Sequence, residues 1–282
     1  MRSATVALSA VVLAATLLGQ SSVRAQVHAP PAAAPAQIAP SLSDAEMEQF
    51  LLKAKVVRTR ATRRGVTGSL QATLSDGTLT HDAHIQFVDV RSQQFSGSQG
   101  VEFNFRDSWT FNIAGYRIDR LIGMNMVPVS VERRYQSRDA AFTWWLDDVM
   151  MDERDRRDRK MQPPDVERWN QQMQMVRMFD QLIANVDRNL GNLVITRDWR
   201  LWPIDHTRAF RLNRALKRPA EVTRADRAVL ERLKALDRDA LSRAADKYLT
   251  PDEINTLLAR RDAIVARLGS LGDSALFDRP PH

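Results

Sequence analysis

The stretch from Asn185 to Asp205 constrains the fold of this chain most tightly, because few backbone paths satisfy its alternation of apolar and polar runs. Leu193-Val194-Ile195-Thr196 and Arg200-Leu201-Trp202-Pro203-Ile204 are strand-like runs flanking Arg197-Asp198-Trp199, a pattern that predicts a short hairpin. A hairpin returns the chain to its own start, so Asp205 is expected beside Asn192. Just upstream, Asn185-Val186-Asp187-Arg188-Asn189-Leu190-Gly191-Asn192 reads as a loop that holds Asp187 and Asn192 at different depths. One carboxylate, one amide and a second carboxylate on a separate segment suit phosphoryl transfer: the first orients the attacking hydroxyl, and the other two hold a hard cation that also binds phosphate oxygens. Asp187 is therefore the expected catalytic residue and Asn192 and Asp205 the expected metal ligands, with ATP or another nucleotide and Mg2+ or Mn2+ as cofactors. A plain helix end and turn, with Gly191 at positive φ, is the competing explanation of the loop. Against it stands Asp205, a carboxylate directly after an apolar strand end, where an isolated buried charge is costly.

The flanking sequence supplies a setting for this loop. Ser43 and Glu46 form a capping box for a helix over Asp44–Val57. Gly68–Leu74 and Ala83–Val88 read as strands around the Ser75-Asp76-Gly77-Thr78 turn. A helix is expected over Ser108–Ile122, with Phe111, Ala114, Ile118, Leu121 and Ile122 on one side and Gly123 as its stop, followed by a strand over Met126–Arg133. Beyond a connecting stretch at Tyr135–Asp139, a helix containing Trp144, Trp145, Val149 and Met150 is predicted. A long helix over Val166–Ala184 then leads into the loop, with Met173, Val176, Phe179 and Ile183 as its core face. Helices over Arg224–Leu236, Asp239–Tyr248 and Pro251–Leu268 close the chain, the last opened by Thr250, Pro251 and Glu253.

With these residues in view, Phe179–Phe210 resembles the atypical kinases of the protein-kinase-like superfamily. The phosphatidylinositol 3/4-kinases and the secretory-pathway protein kinases share its order of a loop Asp, an Asn five residues on and a later strand-end Asp. The Asp-Arg-x-x-x-Asn form is similar to the lipid-kinase version. Arg106-Asp107-Ser108, Met126–Arg133 and Ile204–Phe210 also resemble segments of bacterial proteins with a kinase-like core, and the likeness spans residues 55–265. It implies an α+β, two-lobed protein-kinase-like fold, with a small mixed lobe over 42–134 and a mainly helical large lobe over 135–282, and an ATP-dependent phosphotransferase activity.

Kinases usually carry a phosphate-binding Lys on the strand before the small-lobe helix, paired to a helix Glu. None of Lys53, Lys55, Lys160, Lys217, Lys234 and Lys247 falls on that strand, and the helix over Ser108–Ile122 has no Glu. His84 and Gln86 occupy the expected face and Arg91 is the nearest cation, so these three are the expected nucleotide-binding residues, with Glu102 and Asp107 as substitutes for the Glu. Arg63-Arg64-Gly65-Val66-Thr67-Gly68 is too poor in glycine for a phosphate loop, although its arginines suit phosphate. Two alternatives follow: a pseudokinase that binds without turnover, and a metal-dependent phosphohydrolase that uses the same acids on a phosphorylated ligand, with His206 as an optional helper better explained by packing. His81 and His84 are three apart on a strand and point to opposite faces, so they make a poor zinc pair.

Residues 1–25 read as a secretory signal peptide, with an apolar stretch from Ala4 to Gly19 and small residues at Val23 and Ala25. Residues 26–41, dominated by Ala and Pro, read as a tether. No later stretch is apolar and long enough to span a membrane, and cysteine is absent, so an exported protein without disulfides, periplasmic or extracellular, is expected. Losing Arg2 and Arg24, with no acid in residues 1–25, lowers the net charge from +7 to +5. The run Asp152–Lys160 interleaves acids and bases as a solvated helix face does, which argues against a nucleic-acid partner. The expected partners are a nucleotide and an acceptor that is protein, lipid or small molecule.

Overall fold

The structure, a computed structural model, describes residues 42–62, 68–97, 100–186 and 188–279, and residues 42–282 belong to one compact unit. The expected signal peptide and tether, the arginines at 63 and 64, and Asp187 lie outside the described residues.

The first helix, α1 (Asp44–Lys53), starts on the predicted capping box: Glu46 N donates to Ser43 Oγ and Ser43 N donates back to Glu46 Oε2 at 2.7 Å. It is shorter than expected, because Lys55–Ala61 forms a strand, β1. Helical spacing through Val56 and Val57 is overridden by pairing with β2 (Leu70–Ser75). The Asp-Gly turn is present, with Asp76 Oδ1 accepting from Thr78 N and Leu79 N at 2.8 Å and Gly77 at φ 95°. It leads into β3 (Thr80–Gln86). Next comes a hairpin absent from the expected elements, β4 (Asp89–Gly97) and β5 (Gly100–Ser108). The first strand is polar and lacks clean alternation, whereas Val101, Phe103 and Phe105 alternate with Glu102, Asn104 and Arg106 along the second, a period-two signal that those expectations passed over.

Helix α2 (Thr110–Leu121) ends at Gly123, φ 67°, as anticipated. It is buried on more than one side, covering Phe111, Ile113, Ala114, Tyr116 and Ile118, because it packs on strands β6 (Ser130–Tyr135) and β7 (Arg138–Trp144) and also on a later helix. Burying each such aliphatic or aromatic side chain contributes about 1.5–3 kcal/mol. The five-stranded antiparallel sheet has the order β1-β2-β3-β7-β6. It therefore runs past Arg134, where the small lobe was expected to end, and the expected connecting stretch is a hairpin turn with Gln136 and Ser137 at positive φ.

The helix expected around Trp144 and Met150 does not form. Trp144 closes β7, and Val149–Asp152 makes β8. A short apolar run fits either periodicity, and here cross-strand pairing decides. The charged run then forms the short helix α3 (Glu153–Asp158), but Glu153 is buried and accepts from Arg156 and Arg157 at 2.6–3.0 Å instead of facing solvent. The remaining helices are α4 (Val166–Leu182), α5 (Arg227–Ala235), α6 (Arg238–Ala245) and α7 (Pro251–Leu271). Between α4 and α5 lies the predicted hairpin, β9 (Leu193–Thr196) and β10 (Leu201–Pro203), to which β8 adds a third strand. A β-rich part and a helical part thus make an α+β fold.

Candidate active site

The site is assembled where α4 ends. Ala184 adopts φ 49°, a left-handed conformation that β-carbon sterics disfavour, and the turn is held because Phe210 N donates to Ile183 O at 2.5 Å while Arg260 Nε donates to Leu182 O at 2.8 Å. Arg260 is buried and also reaches the carbonyls of Arg211 and Asn213, fixing the segment after Asp205 from α7. Burial with no carboxylate partner pushes its guanidinium down to about 10. Asn185 opens the loop, its N donating to Asp180 O at 2.8 Å and its Nδ2 to Asp180 Oδ1 at 3.2 Å.

Asn192 ends a 3-10 turn, Leu190–Asn192, and Gly191 within it does not take the positive φ that a plain helix-end turn would use. Across the hairpin Leu193 pairs with Pro203, Val194 with Trp202 and Ile195 with Leu201, and Ile204 N donates to Asn192 O at 2.9 Å. The predicted return is thereby achieved: Asn192 Nδ2 donates to Asp205 Oδ2 at 3.3 Å. Asp205 also accepts from Thr207 Oγ1 at 3.1 Å and sits at φ 57°. It is exposed, so the supposition that it is a buried charge is corrected: the left-handed turn lifts its carboxylate out of the apolar strand end and into the cleft.

His206, the next residue, is buried. Its N donates to Asn112 Oδ1 at 2.8 Å, its ring stands edge-on to Phe179 with centroids 5.9 Å apart, and a Cβ at Gly115 would lie 3.3 Å from it. Burial, assisted by the Arg188 charge, holds the imidazole well below its usual pKa and therefore neutral. It is a packing residue beneath the site.

A cleft of about 990 Å3 lies above this floor, lined by Asn185, Asn189, Asn192 and Asp205 on one side and by His84 and Gln86 of β3 on the other. His84 keeps some exposed surface yet is crowded by protein atoms, which pushes its ring toward neutrality, while the Asp205 charge across the cleft acts in the opposite sense. Gln86 is buried, with Oε1 accepting from Phe87 N at 2.9 Å and Val88 N at 3.0 Å. Arg91, expected as the phosphate partner, is not among the lining residues: it is exposed on β4, because the unforeseen hairpin carries it away from β3. Among the described residues, the arginines that line the cleft are Arg60 and Arg208. Arg208 Nε donates to Asp107 Oδ2 at 2.9 Å and Arg211 pairs with Glu102 at 2.6 Å, so the two acids considered as substitutes for a helix Glu bind arginines of the segment after Asp205. His81 stacks on Trp144 at 3.7 Å and contacts Asp147 at 3.0 Å, away from any zinc geometry with His84.

Sequence reasoning missed Asn112 and Arg188. The first carried one signal, a polar residue flanked by Phe111 and Ile113 in a largely apolar helix. The second lay inside the loop, but its partners, Asp180 on α4 and the carbonyls of Asn192 and Ile204, are brought to it only by the folded backbone.

No family model matches the chain, and no curated protein matches it. Solved structures do. The hydra Fam20 structure with sugar superimposes with a TM-score of 0.62 at 15% identity, covering 84% of this chain and 93% of that one. The Golgi casein kinase with Mn/ADP bound gives 0.57 at 11% identity over 85% of this chain and 80% of its own. The Helicobacter pylori proinflammatory kinase CtkA gives 0.51 at 8% identity over 79% and 98%. The fold is protein-kinase-like. The floor at Asn192 and Asp205 shares its cleft with His84 and Gln86 of the sheet.

Proposed function

We propose that this chain is an exported, metal-dependent phosphotransferase that moves a phosphoryl group from a nucleotide to a hydroxyl of an acceptor. One observation carries the reading: Asn192 and Asp205 meet at the open end of the hairpin, 3.3 Å apart, in the floor of a cleft within a kinase-like fold. Their donor set fits a hard divalent cation, since a carboxylate and an amide oxygen are what Mg2+ and Mn2+ prefer, and rotating the Asn192 amide by half a turn presents its oxygen to Asp205's side. Asn192 and Asp205 would hold such a cation, and when bound it would neutralise charge on the phosphates. That the Golgi casein kinase carries Mn and ADP on the same fold supports a nucleotide and a divalent metal here. Asp187, five residues before Asn192, has the sequence position of the group that orients the acceptor hydroxyl. Arg60 and Arg208 replace Arg91 as the cations suited to the phosphates.

Export rests on the signal-like residues 1–25. Among the described residues no helix is long and apolar enough to cross a membrane.

A pseudokinase is the second reading, favoured by one feature: β3 carries no lysine toward the cleft, only His84 and Gln86, and Gln86 spends its carbonyl on backbone amides. A phosphohydrolase would have to work with the same acids and without His206, which is buried beneath the floor. Calorimetry of residues 42–282 with ADP and ATP, with and without Mn2+, followed by assay of phosphoryl loss and transfer, separates the readings. Metal-dependent binding with turnover is expected. Binding without turnover on any acceptor class selects the pseudokinase, and no binding with or without Mn2+ rejects both.

A further inference from the structure

Arg188 stands next to Asp187 in sequence, and its buried guanidinium lies beneath the floor of the cleft, bonded to the backbones of two residues that line it. Nε and Nη2 form a fork on Asp180, with distances of 2.9–3.3 Å, and both side chains are about nine-tenths buried. The remaining nitrogen, Nη1, donates to Ile204 O and reaches Asn192 O at 3.4 Å. These carbonyls belong to the residue that carries one proposed metal ligand and to the residue immediately before the other.

The need for such a brace follows from the hairpin. Strand pairing stops at Leu193 and Pro203, so Asn192 and Asp205 hang from its open end, joined by the Ile204 N to Asn192 O bond and their own side-chain contact. Ends of short hairpins open locally at low free-energy cost. Asp180 in turn sits on α4 and accepts from Asn185, so the brace connects the long helix, the loop and both hairpin strands. Only a planar fork with several donors reaches a carboxylate and two carbonyls at once; a lysine ammonium in the same place is a single point.

Resting on the phosphotransferase reading, we infer that Arg188 is a positioning residue: anchored on Asp180, it holds the backbones of Asn192 and Ile204 together and so fixes the separation of Asn192 and Asp205 for the metal–nucleotide complex. Burial raises the Asp180 carboxyl above its usual value, and the Arg188 charge and hydrogen bonds act against that rise.

The test uses Arg188→Lys, with Arg188→Gln/Asp180→Asn as a neutral pair that leaves no buried charge uncompensated should the first variant fold poorly. Two readouts are taken on each: calorimetric Kd for ADP with Mn2+ and in EDTA, and hydrogen exchange of peptides covering 193–206. The inference expects Mn2+-dependent ADP binding weakened by about 10- to 100-fold, the scale for groups that orient a metal's ligands. It also expects metal-free ADP affinity within about twofold of wild type and faster exchange confined to 193–206, since the brace acts on ligand spacing and not on the rest of the cleft. Unchanged exchange in that segment overturns it, as does unchanged Mn2+–ADP affinity in a protein whose wild type binds. If wild type binds no nucleotide with metal, the phosphotransferase reading fails, and the exchange of 193–206 alone still decides whether Arg188 is the brace.

Discussion

Replacing Asp205 by Asn tests the proposed metal site with little disturbance of the fold. Asp205 is exposed and sits at φ 57°, a conformation that Asn adopts as readily as Asp, and its two side-chain contacts, with Asn192 and Thr207, can be kept by an amide. The stability change should therefore stay within about 0.5 kcal/mol, as for other surface substitutions. What is lost is one negative charge. Because the carboxylate is solvated, water's dielectric applies: a unit charge and a divalent ion about 2.1 Å apart interact by about 4 kcal/mol, roughly a thousandfold in affinity. The amide oxygen retains part of the ligation, which places the expected rise in Kd for Mn2+–ADP between about a hundredfold and a thousandfold. Calorimetry with Mn2+ measures this, and the same titration in EDTA should give equal affinities for wild type and variant. A variant that melts like wild type and binds Mn2+–ADP within about fivefold of it would refute the assignment of Asp205 as a metal ligand.

Asp187→Asn should leave Mn2+–ADP affinity nearly intact while lowering turnover by about a hundredfold or more, the scale for a positioned general base; steady-state transfer assays on the same preparations report it. Arg208→Ala and Arg60→Ala should weaken nucleotide binding in calorimetry whereas Arg91→Ala should not, because the first two line the cleft and the third is exposed on the β4–β5 hairpin. Asp119, fully buried on α2, accepts from Met126 N at 3.0 Å and Val127 N at 3.3 Å, and burial, opposed by Arg120, pushes its carboxyl up to about 6. The folded state then holds this proton over a range in which the unfolded chain has released it, so the contribution of Asp119 to stability is greatest below the unfolded pKa and falls as pH rises towards 6, by about 3 kcal/mol in all. Denaturant unfolding from pH 4 to 7 should show Asp119→Asn gaining on wild type across that window, and parallel profiles would contradict it.

The sequence determined what local chemistry controls. Ser43 with Glu46 and Thr250 with Glu253 fixed two helix starts, Asp76-Gly77 fixed a turn, Gly123 fixed a stop, and the β9–β10 pattern was enough to bring Asp205 back to Asn192. Each of these depends on residues within a few positions of one another, where propensity and capping act directly. Only the tertiary structure decided the rest. Whether Lys55–Ala61 continued a helix or joined a sheet depended on β2, and whether Val149–Asp152 was helix or strand depended on β9, more than forty residues away. The β4–β5 hairpin, paired to itself, carried Arg91 out of the cleft, and the turn at Asp205 exposed a carboxylate that its apolar neighbours had seemed to bury. The Arg188 fork on Asp180 and the carbonyls beyond it could not be read from the loop, because a guanidinium's partners are chosen by the folded backbone around it and leave no periodic trace in the chain.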